Sequence, residues 1–476
     1  MPKRTNRHRD RTADVLAIFG ISGDLAKKMT FRALYRMEKS GVLNIPIIGV
    51  ALDDWDDEAL RKHAREAIEA TVPECDQGCL TRMLARLTYV QGDYADAETF
   101  TKVKKAIGHA KQPVFYLEIP PFLFSTVVKG LGDAGLVNHA HVVIEKPFGH
   151  DLESARALNE ELREVLEEGQ ILRIDHYLGK EPVMDITYLR FANSILEPVW
   201  NRSYISHVQM TIAENFGVED RGRFYDAVGA MRDVIQNHAL QVLGLIGMEP
   251  PSGNDPDSIR DQKLDFFKAM RAADPKRYVR GQYRGYRDED GVARNSQTAT
   301  YAAMTFMIDS WRWQGVPFYL RAGKKLAERL TEVAIHFKSV PLVLFKEEAA
   351  GSVLQPAVLT LRIQPQEGIS LRFVAKVPGE NINVGNVYMN MNYADAFRRP
   401  IAEAYERLIL DCMRGDATLF NRRDSVDRAW ELIQPVLQVW EATPGVQIYE
   451  PGSAGPAAAD AMLARHGHTW KELVKH

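Results

Sequence analysis

The sequence predicts two domains of different construction, an α/β domain on a parallel sheet followed by an α+β domain. Three observations predict it. Between residue 13 and about 175, short β-rich apolar runs alternate with longer helical patterns, the signature of βαβ units. Several runs are apolar at consecutive positions, as strands covered on both faces must be. After 175 the texture changes to one long helical pattern and then to segments in which apolar and polar residues alternate. At 476 residues and 45 % hydrophobic composition, the chain is also longer than one ordinary domain.

Taken in order, the first six strands are VLAIF (15 to 19), IPIIGVA (45 to 51), LTYV (87 to 90), VFYLEI (114 to 119), HVVIE (141 to 145) and ILRI (171 to 174). Behind the first strand, GISGDLAKK places Gly20 and Gly23 before a helix carrying Leu25, Met29 and Leu34 on one side. Glycines there let the backbone turn tightly and approach a pyrophosphate at a helix N-terminus. The spacing is G-x-x-G, which fits a plain strand-to-helix turn as well as a nucleotide site. Asp24 would repel phosphate if it pointed inward, so it reads as a backbone-bonding residue of the first helical turn. The second strand ends in Leu52, Asp53 and Asp54, where a carboxylate takes a ribose 2′-hydroxyl and resists a 2′-phosphate. The alternative is that both aspartates cap the helix starting near Asp56 or Asp57.

Past 175, a helical pattern runs from Arg223 to Gly247 and ends at the breaker EPPSGNDPDS (249 to 258). TYAAMTFMI (300 to 308), EVAIHFKSV (332 to 340) and AVLTLRIQP (357 to 365) then read as strands with one covered and one wetter face. The sequence shows no internal repeat.

The densest chemistry is RIDHYLGK at 173 to 180. Neighbouring strand residues point to opposite sides, so Asp175 and His176 are not expected to pair. If a helical turn begins after His176, His176 and Lys180 share a face and donate to one phosphate, with Tyr177 adding a hydroxyl. The alternative is a capped helix start with a solvated lysine. Asp175 then needs another partner, and His238, flanked by Gln236 and Asn237, is a candidate base that an aspartate would orient; otherwise it is a satisfied core histidine. Asp233, five residues earlier, lies too far round an α-helix to be its direct partner. Glu145 and Lys146 end a strand at the sheet's ligand edge, and Lys324, Lys325 and Arg329 form either an anion-binding cluster or a solvated basic loop.

Sixty basic against sixty-three acidic residues, a net charge of −3, leave no broad footprint for nucleic acid or an anionic membrane surface. Apolar stretches such as 239 to 248 are about half the roughly 20 residues a spanning helix needs, so no membrane insertion is expected. Three cysteines, Cys75, Cys79 and Cys412, build no disulfide framework and suit a reducing cytoplasm. CDQGC lacks a second ligand pair for zinc, so no metal is expected. The basic stretch at 1 to 11 has no apolar segment behind it and reads as a solvated tail.

Together, GISGDLAKK, FYLEIPP, EKPFG, RIDHYLGK, RFAN at 190 to 193, ENFG at 214 to 217, RDVIQNH, GVPFYLRAGKKLAER and AYERLILD at 404 to 411 resemble the glucose-6-phosphate dehydrogenase family. They run in that family's order across nearly the whole chain. The resemblance implies oxidation of glucose 6-phosphate to 6-phosphogluconolactone with hydride passing to nicotinamide, the entry to the pentose phosphate route. It implies a Rossmann-like domain at 12 to 175, and an α+β substrate and dimerisation domain at 176 to 476 with a large, mainly antiparallel sheet. A homodimer or homotetramer is implied as well. By position, His238 matches the general base and Asp175 its orienting carboxylate, while His176, Tyr177 and Lys180 match the phosphate clamp. Lys146, Glu214, Asp233, Lys324, Arg329 and Gln364 match sugar contacts, with Lys146 also near the nicotinamide. Gly20, Ser22, Gly23, Asp24, Leu25, Tyr116 and Glu145 match the coenzyme side. NADP is the implied coenzyme. Leu52 and Met29 stand where NADP-preferring members carry basic residues, which leaves NAD open; Leu330 and Ala334 replace the basic residues of a second, structural NADP site, which is expected to be missing. A non-catalytic nucleotide-binding regulator on the same fold is the competing expectation.

Overall fold

The computed structural model of the chain describes residues 12–274, 277–342, 355–379, 384–398 and 401–473. The tail expected at 1 to 11 lies outside them. The chain forms two compact units, one holding residues up to Gly179 with Pro251–Arg260 and Ala402–Asp427, the other Lys180–Pro250, Asp261–Ile401 and Arg428 onward.

In the first unit, β1 (Val15–Phe19), β2 (Ile47–Ala51), β3 (Leu87–Gln91), β4 (Pro113–Leu117), β5 (His141–Ile144) and β6 (Ile171–Ile174) occupy the six apolar runs. The sheet order is β6, β5, β4, β1, β2, β3, with a short strand Phe420–Asn421 added beyond β6. All neighbours are parallel except that last strand, which lies antiparallel on β6. Every residue of β1, β2 and β4 is buried, because helices cover both faces. Each Ile, Val, Leu or Phe so enclosed stabilises the unit by about 1.5–3 kcal/mol. β1 sits between β2 and β4, so the winding reverses there, and ligands of such sheets bind beyond the carboxyl ends of the strands at that reversal.

The sequence assigned everything after 175 to the second domain. The change of unit instead falls between Gly179 and Lys180, and residues 402–427 join the first unit. The physical reason is local: Phe420 and Asn421 complete the sheet edge, and Tyr405, Leu408, Ile409, Cys412 and Met413 enter the core beside Phe31 and Leu34.

The second unit carries a nine-stranded sheet. Its first eight strands along the chain are β7 (Ile205–Ala213), β8 (Tyr278–Tyr283), β9 (Tyr301–Phe306), β10 (Phe318–Gly323), β11 (Leu330–Phe337), β12 (Val358–Gln364), β13 (Gly368–Lys376) and β14 (Val384–Asn392). The order is β14, β13, β12, β11, β7, β10, β9, β8 and then Gln447–Tyr449. Only the β7–β10 pair and the last pair are parallel. The expected wetter face is absent from the middle of the sheet, where β9 and β10 are buried at every position. Arg321 packs over Trp470 on one side, and Phe318 meets Phe266 and Trp313. β14, at the sheet edge, is the exposed part.

The continuous helix expected from Arg223 to Gly247 is broken. Gly222–Ala230 kinks at Gly229, whose φ of 65° and ψ of 174° are open to glycine, and a Cβ there would stand 3.0 Å from Thr298 Cγ2. The chain then winds as a π-helix over Met231–Ala239 before α-helix returns at Leu240–Gly247.

Candidate active site

The nucleotide loop of the first unit is a turn that needs its first glycine. Gly20 has φ of 86°, its N–H donates to Val50 O at 2.8 Å, and a Cβ would lie 2.3 Å from Glu118 O. Gly23 N–H donates back to Gly20 O at 2.9 Å, and helical winding begins at once through Leu25. Asp24 differs from its expected role: its exposed carboxylate pairs with Lys28 at 2.9 Å rather than with backbone, and that cation holds the carboxyl below its usual range. Ser22 Oγ donates to Asp53 at 2.6 Å. Neither Asp53 nor Asp54 caps the next helix; Asp56 does, accepting from Ala59 N–H at 2.8 Å.

Acidic residues line the carboxyl edge of this sheet, and of them the sequence reading named Glu145 and Asp175 but missed Glu118. Glu118, Glu145 and Asp175 are each the first residue after β4, β5 and β6, three adjacent parallel strands. Glu145 accepts from the Tyr116 hydroxyl at 2.6 Å and from Tyr405, while Glu118 accepts from Thr30 at 2.5 Å. Burial pushes the Glu118 carboxyl up to about 8 and the Glu145 carboxyl up to about 7. The signal that could have found Glu118 is that shared position, one residue past each strand.

Asp175 is 1 % exposed, and its Oδ1 accepts from Tyr177 N–H at 3.0 Å. Residues 176–179 form a turn, and the helix starts only at Glu181 with Lys180 at its N-cap, so the helical turn expected after His176 is not made. Pro182 in the first helical turn fits this later start. The His176 ring stacks on Tyr405 at 6.1 Å. Lys146, after β5, follows directly on Glu145.

The second unit gathers two polar groups. Lys180 donates to Gln364 Oε1 at 2.5 Å, and Gln364 donates in turn to Thr331 at 3.2 Å. Burial lowers the Lys180 pKa, Glu367 opposes that, and the Arg329 guanidinium adds to it. Lys180, Gln364 and Arg329 are therefore neighbours, although the sequence gave them separate tasks. In the second group, Lys324 meets Glu214 at 2.5 Å and lies 5.0 Å from the Tyr225 ring and 5.1 Å from the Phe216 ring. Burial, with Asp233 and Glu214 nearby, drives the Tyr225 hydroxyl well above its ordinary value. Phe216, also 5.9 Å from Arg329, and Tyr225 were missed because aromatic residues carry no motif signal of their own. Lys325 faces Glu289 at 3.3 Å and leaves the cluster.

His238 is 3 % exposed, inside the π-helix. An α-helix turns about 100° per residue, which separates positions five apart by about 140°. Hydrogen bonds from i to i+5 bring such positions back toward one face, so the winding sets Asp233 and His238 on nearby faces. Among the described residues no group of three or more His, Cys, Asp or Glu side chains could hold a metal ion, and no helix is long and apolar enough to cross a membrane. The three cysteines are free thiols.

Comparison with known proteins divides the chain once, near residue 186. Residues 17–185 match the NAD binding domain of glucose-6-phosphate dehydrogenase, and 187–471 match the C-terminal domain of the same family. Glucose-6-phosphate 1-dehydrogenase 1 of Mycobacterium tuberculosis is 46 % identical over 455 residues, covering 95 % of each chain. The crystal structure of glucose-6-phosphate 1-dehydrogenase from Mycobacterium avium superposes with a TM-score of 0.90 at 46 % identity, covering 98 % of this chain and 100 % of that one. A glucose-6-phosphate dehydrogenase in complex with its substrate glucose 6-phosphate gives 0.89 at 37 % identity, covering 97 % and 99 %.

Proposed function

The chain belongs to the glucose-6-phosphate dehydrogenase family, and on that premise we propose how its residues divide the work. It is an oxidoreductase that oxidises glucose 6-phosphate to 6-phosphoglucono-1,5-lactone with a nicotinamide dinucleotide as acceptor. The regulator alternative has no support.

The sugar's C1 hydroxyl is a poor hydride donor until its proton leaves. His238 takes that proton as hydride departs, and Asp175 is the carboxylate that orients the base and stabilises the imidazolium. His176, Tyr177 and Lys180 hold the phosphate, which orients C1 through binding energy spent several bonds away. Lys146, Glu214, Asp233, Lys324, Arg329 and Gln364 address the sugar. Supporting these roles, His238 and Lys324 are both buried, and Lys180 is a desolvated cation that an incoming dianion would relieve.

The residues present fit a dinucleotide: a glycine turn closed by Gly23 N–H runs straight from the first strand into a helix at the point where the sheet order reverses. The bound coenzyme supplies the hydride-accepting nicotinamide. Gly20, Ser22, Gly23 and Leu25 would hold its phosphates, with Asp24 contributing its backbone while its carboxylate stays on Lys28, and Tyr116, Glu145 and Lys146 would serve the nicotinamide half. NADP is the family's usual coenzyme, but Asp53, fixed by Ser22, presents a carboxylate to the ribose with exposed Leu52 beside it, so NAD is used too. Asp53→Ala is expected to raise the kcat/KM ratio of NADP over NAD by about tenfold, with a parallel gain in affinity for 2′,5′-ADP by calorimetry. Equal ratios in the two proteins would remove Asp53 from coenzyme selection.

The observation that carries the reading is that Glu145, Asp175, His238 and Lys324 are polar residues kept buried at the sites the family uses, which an idle site has no reason to keep. The test is His238→Asn: kcat should fall by about 10³-fold or more while the affinity for glucose 6-phosphate stays within a few-fold. Substantial retained activity would sink the assignment of the base. Association into a homodimer or homotetramer is proposed through the wide sheet, whose β14 exposes Tyr388 and Met389; light scattering at a monomer's mass would overturn it.

A further inference from the structure

Of the three acids that stand one residue past β4, β5 and β6, Glu118 alone has no role above, and it lies against the nucleotide turn. Its N–H extends the β1–β4 ladder by donating to Phe19 O at 2.9 Å, and its carbonyl oxygen would stand 2.3 Å from a Cβ at Gly20. Thr30, buried at the end of the winding that follows the turn, donates to its Oε1 at 2.5 Å. One side chain thus ties the sheet edge to the helix that leaves the glycine turn.

A second link runs to the Tyr116–Glu145 pair. The Tyr116 hydroxyl, 2.6 Å from Glu145, also acts on Glu118 in looser geometry, and no other donor reaches the buried Oε2. One hydroxyl proton cannot serve two carboxylates. When Tyr116 gives its proton to Glu145, a protonated Glu118 completes the chain by donating to the Tyr116 oxygen. The other groups that face this chain all act on Glu145 or Tyr405. Tyr405 donates to Glu145, Lys146 favours the Glu145 charge, Asp175 acts on Tyr405, and the buried Cys412 thiol feels Glu145. Among the described residues no cation stands beside Glu118 to compensate its charge.

We infer that Glu118 is a positioning residue for the coenzyme: held between Thr30 and Tyr116, it fixes the helix behind the pyrophosphate turn and the Tyr116–Glu145 pair relative to each other. The inference rests on the reading of the Gly20 turn as the coenzyme's site. It also makes the fit depend on one proton. Burial pushes the Glu118 carboxyl up to about 8, so the group passes from neutral to ionised between about pH 6.5 and about pH 9.5. In the ionised state the chain to Tyr116 loses its donor, and a second negative charge beside Glu145 opposes an anionic ligand.

The test follows NADP on the full-length protein. Calorimetric titration of NADP into the wild type comes first, and no binding there would overturn the coenzyme reading and this inference with it. Glu118→Ala removes both links. Its affinity for NADP should fall by about tenfold, with the KM for glucose 6-phosphate within about twofold of the wild type's. Glu118→Gln keeps an acceptor for Thr30 and a permanent donor for Tyr116, so it imitates the protonated acid. The wild type's KM for NADP, divided by that of Glu118→Gln, should rise about fivefold from about pH 6.5 to about pH 9.5, while the ratio of their kcat values shows no such trend. Because Glu145 titrates in both proteins, the KM ratio isolates Glu118. Wild-type affinity in Glu118→Ala would overturn the positioning role while leaving the coenzyme reading intact. A flat KM ratio would overturn the part played by the proton, and it decides alone if Glu118→Ala does not fold.

Discussion

Two acidic sites, one in each unit, are built in opposite ways. In the first, Glu118 and Glu145 sit at the carboxyl edge of a parallel sheet among hydroxyls, and burial drives both carboxyls toward the neutral form. In the second, Glu214 faces Lys324 at 2.5 Å and remains an ion pair. The difference follows from the surroundings. At Glu145 desolvation outweighs its hydrogen bonds and the neighbouring Lys146 charge, whereas a cation within hydrogen-bond reach favours the charged form of a carboxylate. The first arrangement stores protons beside the nucleotide loop, and the second holds an ion pair against the Tyr225 and Phe216 rings.

The largest expected effect comes from breaking the pair. Lys324→Met keeps the length of the side chain and strands Glu214 beside Tyr225 and Asp233. Losing one partner of a buried pair costs about 3–5 kcal/mol, a figure to be reduced here because the Glu214 side chain is 27 % exposed. A drop in kcat/KM for glucose 6-phosphate of about 10²-fold is expected, together with a lower melting temperature. Lys324→Met combined with Glu214→Gln should recover the melting temperature and not the activity. A double variant as unstable as the single one would mean that the pair does not behave as the comparison requires.

The same contrast explains what could be read from the sequence. The six parallel strands of the first sheet were legible because such strands write apolar runs, as in VLAIF and ILRI, whereas the seventh, Phe420–Asn421, was not. The glycine turn was legible for the same reason, since Gly20 follows the first run directly. Residues 402–427 were not, because AYERLILD is an ordinary amphipathic helix, and nothing local states that it packs against Phe31 and Leu34 some 370 positions earlier. The Gly229 kink and the π winding were hidden too: an i to i+5 ladder leaves no periodicity distinct from an α-helix over nine residues. That is why Asp233 was set aside as lying too far round the helix from His238. The pairings Lys324–Glu214 and Lys180–Gln364 span 110 and 184 positions, so sequence supplied the members and only the fold supplied the partners.

The smaller effect tests the other half of the comparison. Glu118 has a folded pKa of about 8 against an ordinary 4.5, so the folded state holds its proton more tightly than the unfolded chain does. Its contribution to stability is fully present below about pH 4.5 and is lost as pH rises through about 8. Glu145, at about 7, adds a loss of the same sign over a slightly lower window. Glu118→Gln fixes the group in a neutral, isosteric form that still accepts from Thr30. At pH 5, where the wild-type carboxyl is already largely protonated in the folded state, the melting temperature should barely move. At pH 9 the variant should melt higher by roughly 2–4 °C, since it escapes the cost of ionising a buried carboxyl. Calorimetric scans of both proteins across that range decide the matter. An equal shift at both pH values would show that Glu118 acts by packing alone, and a variant less stable at pH 9 would show that its charge is compensated as Glu214's is.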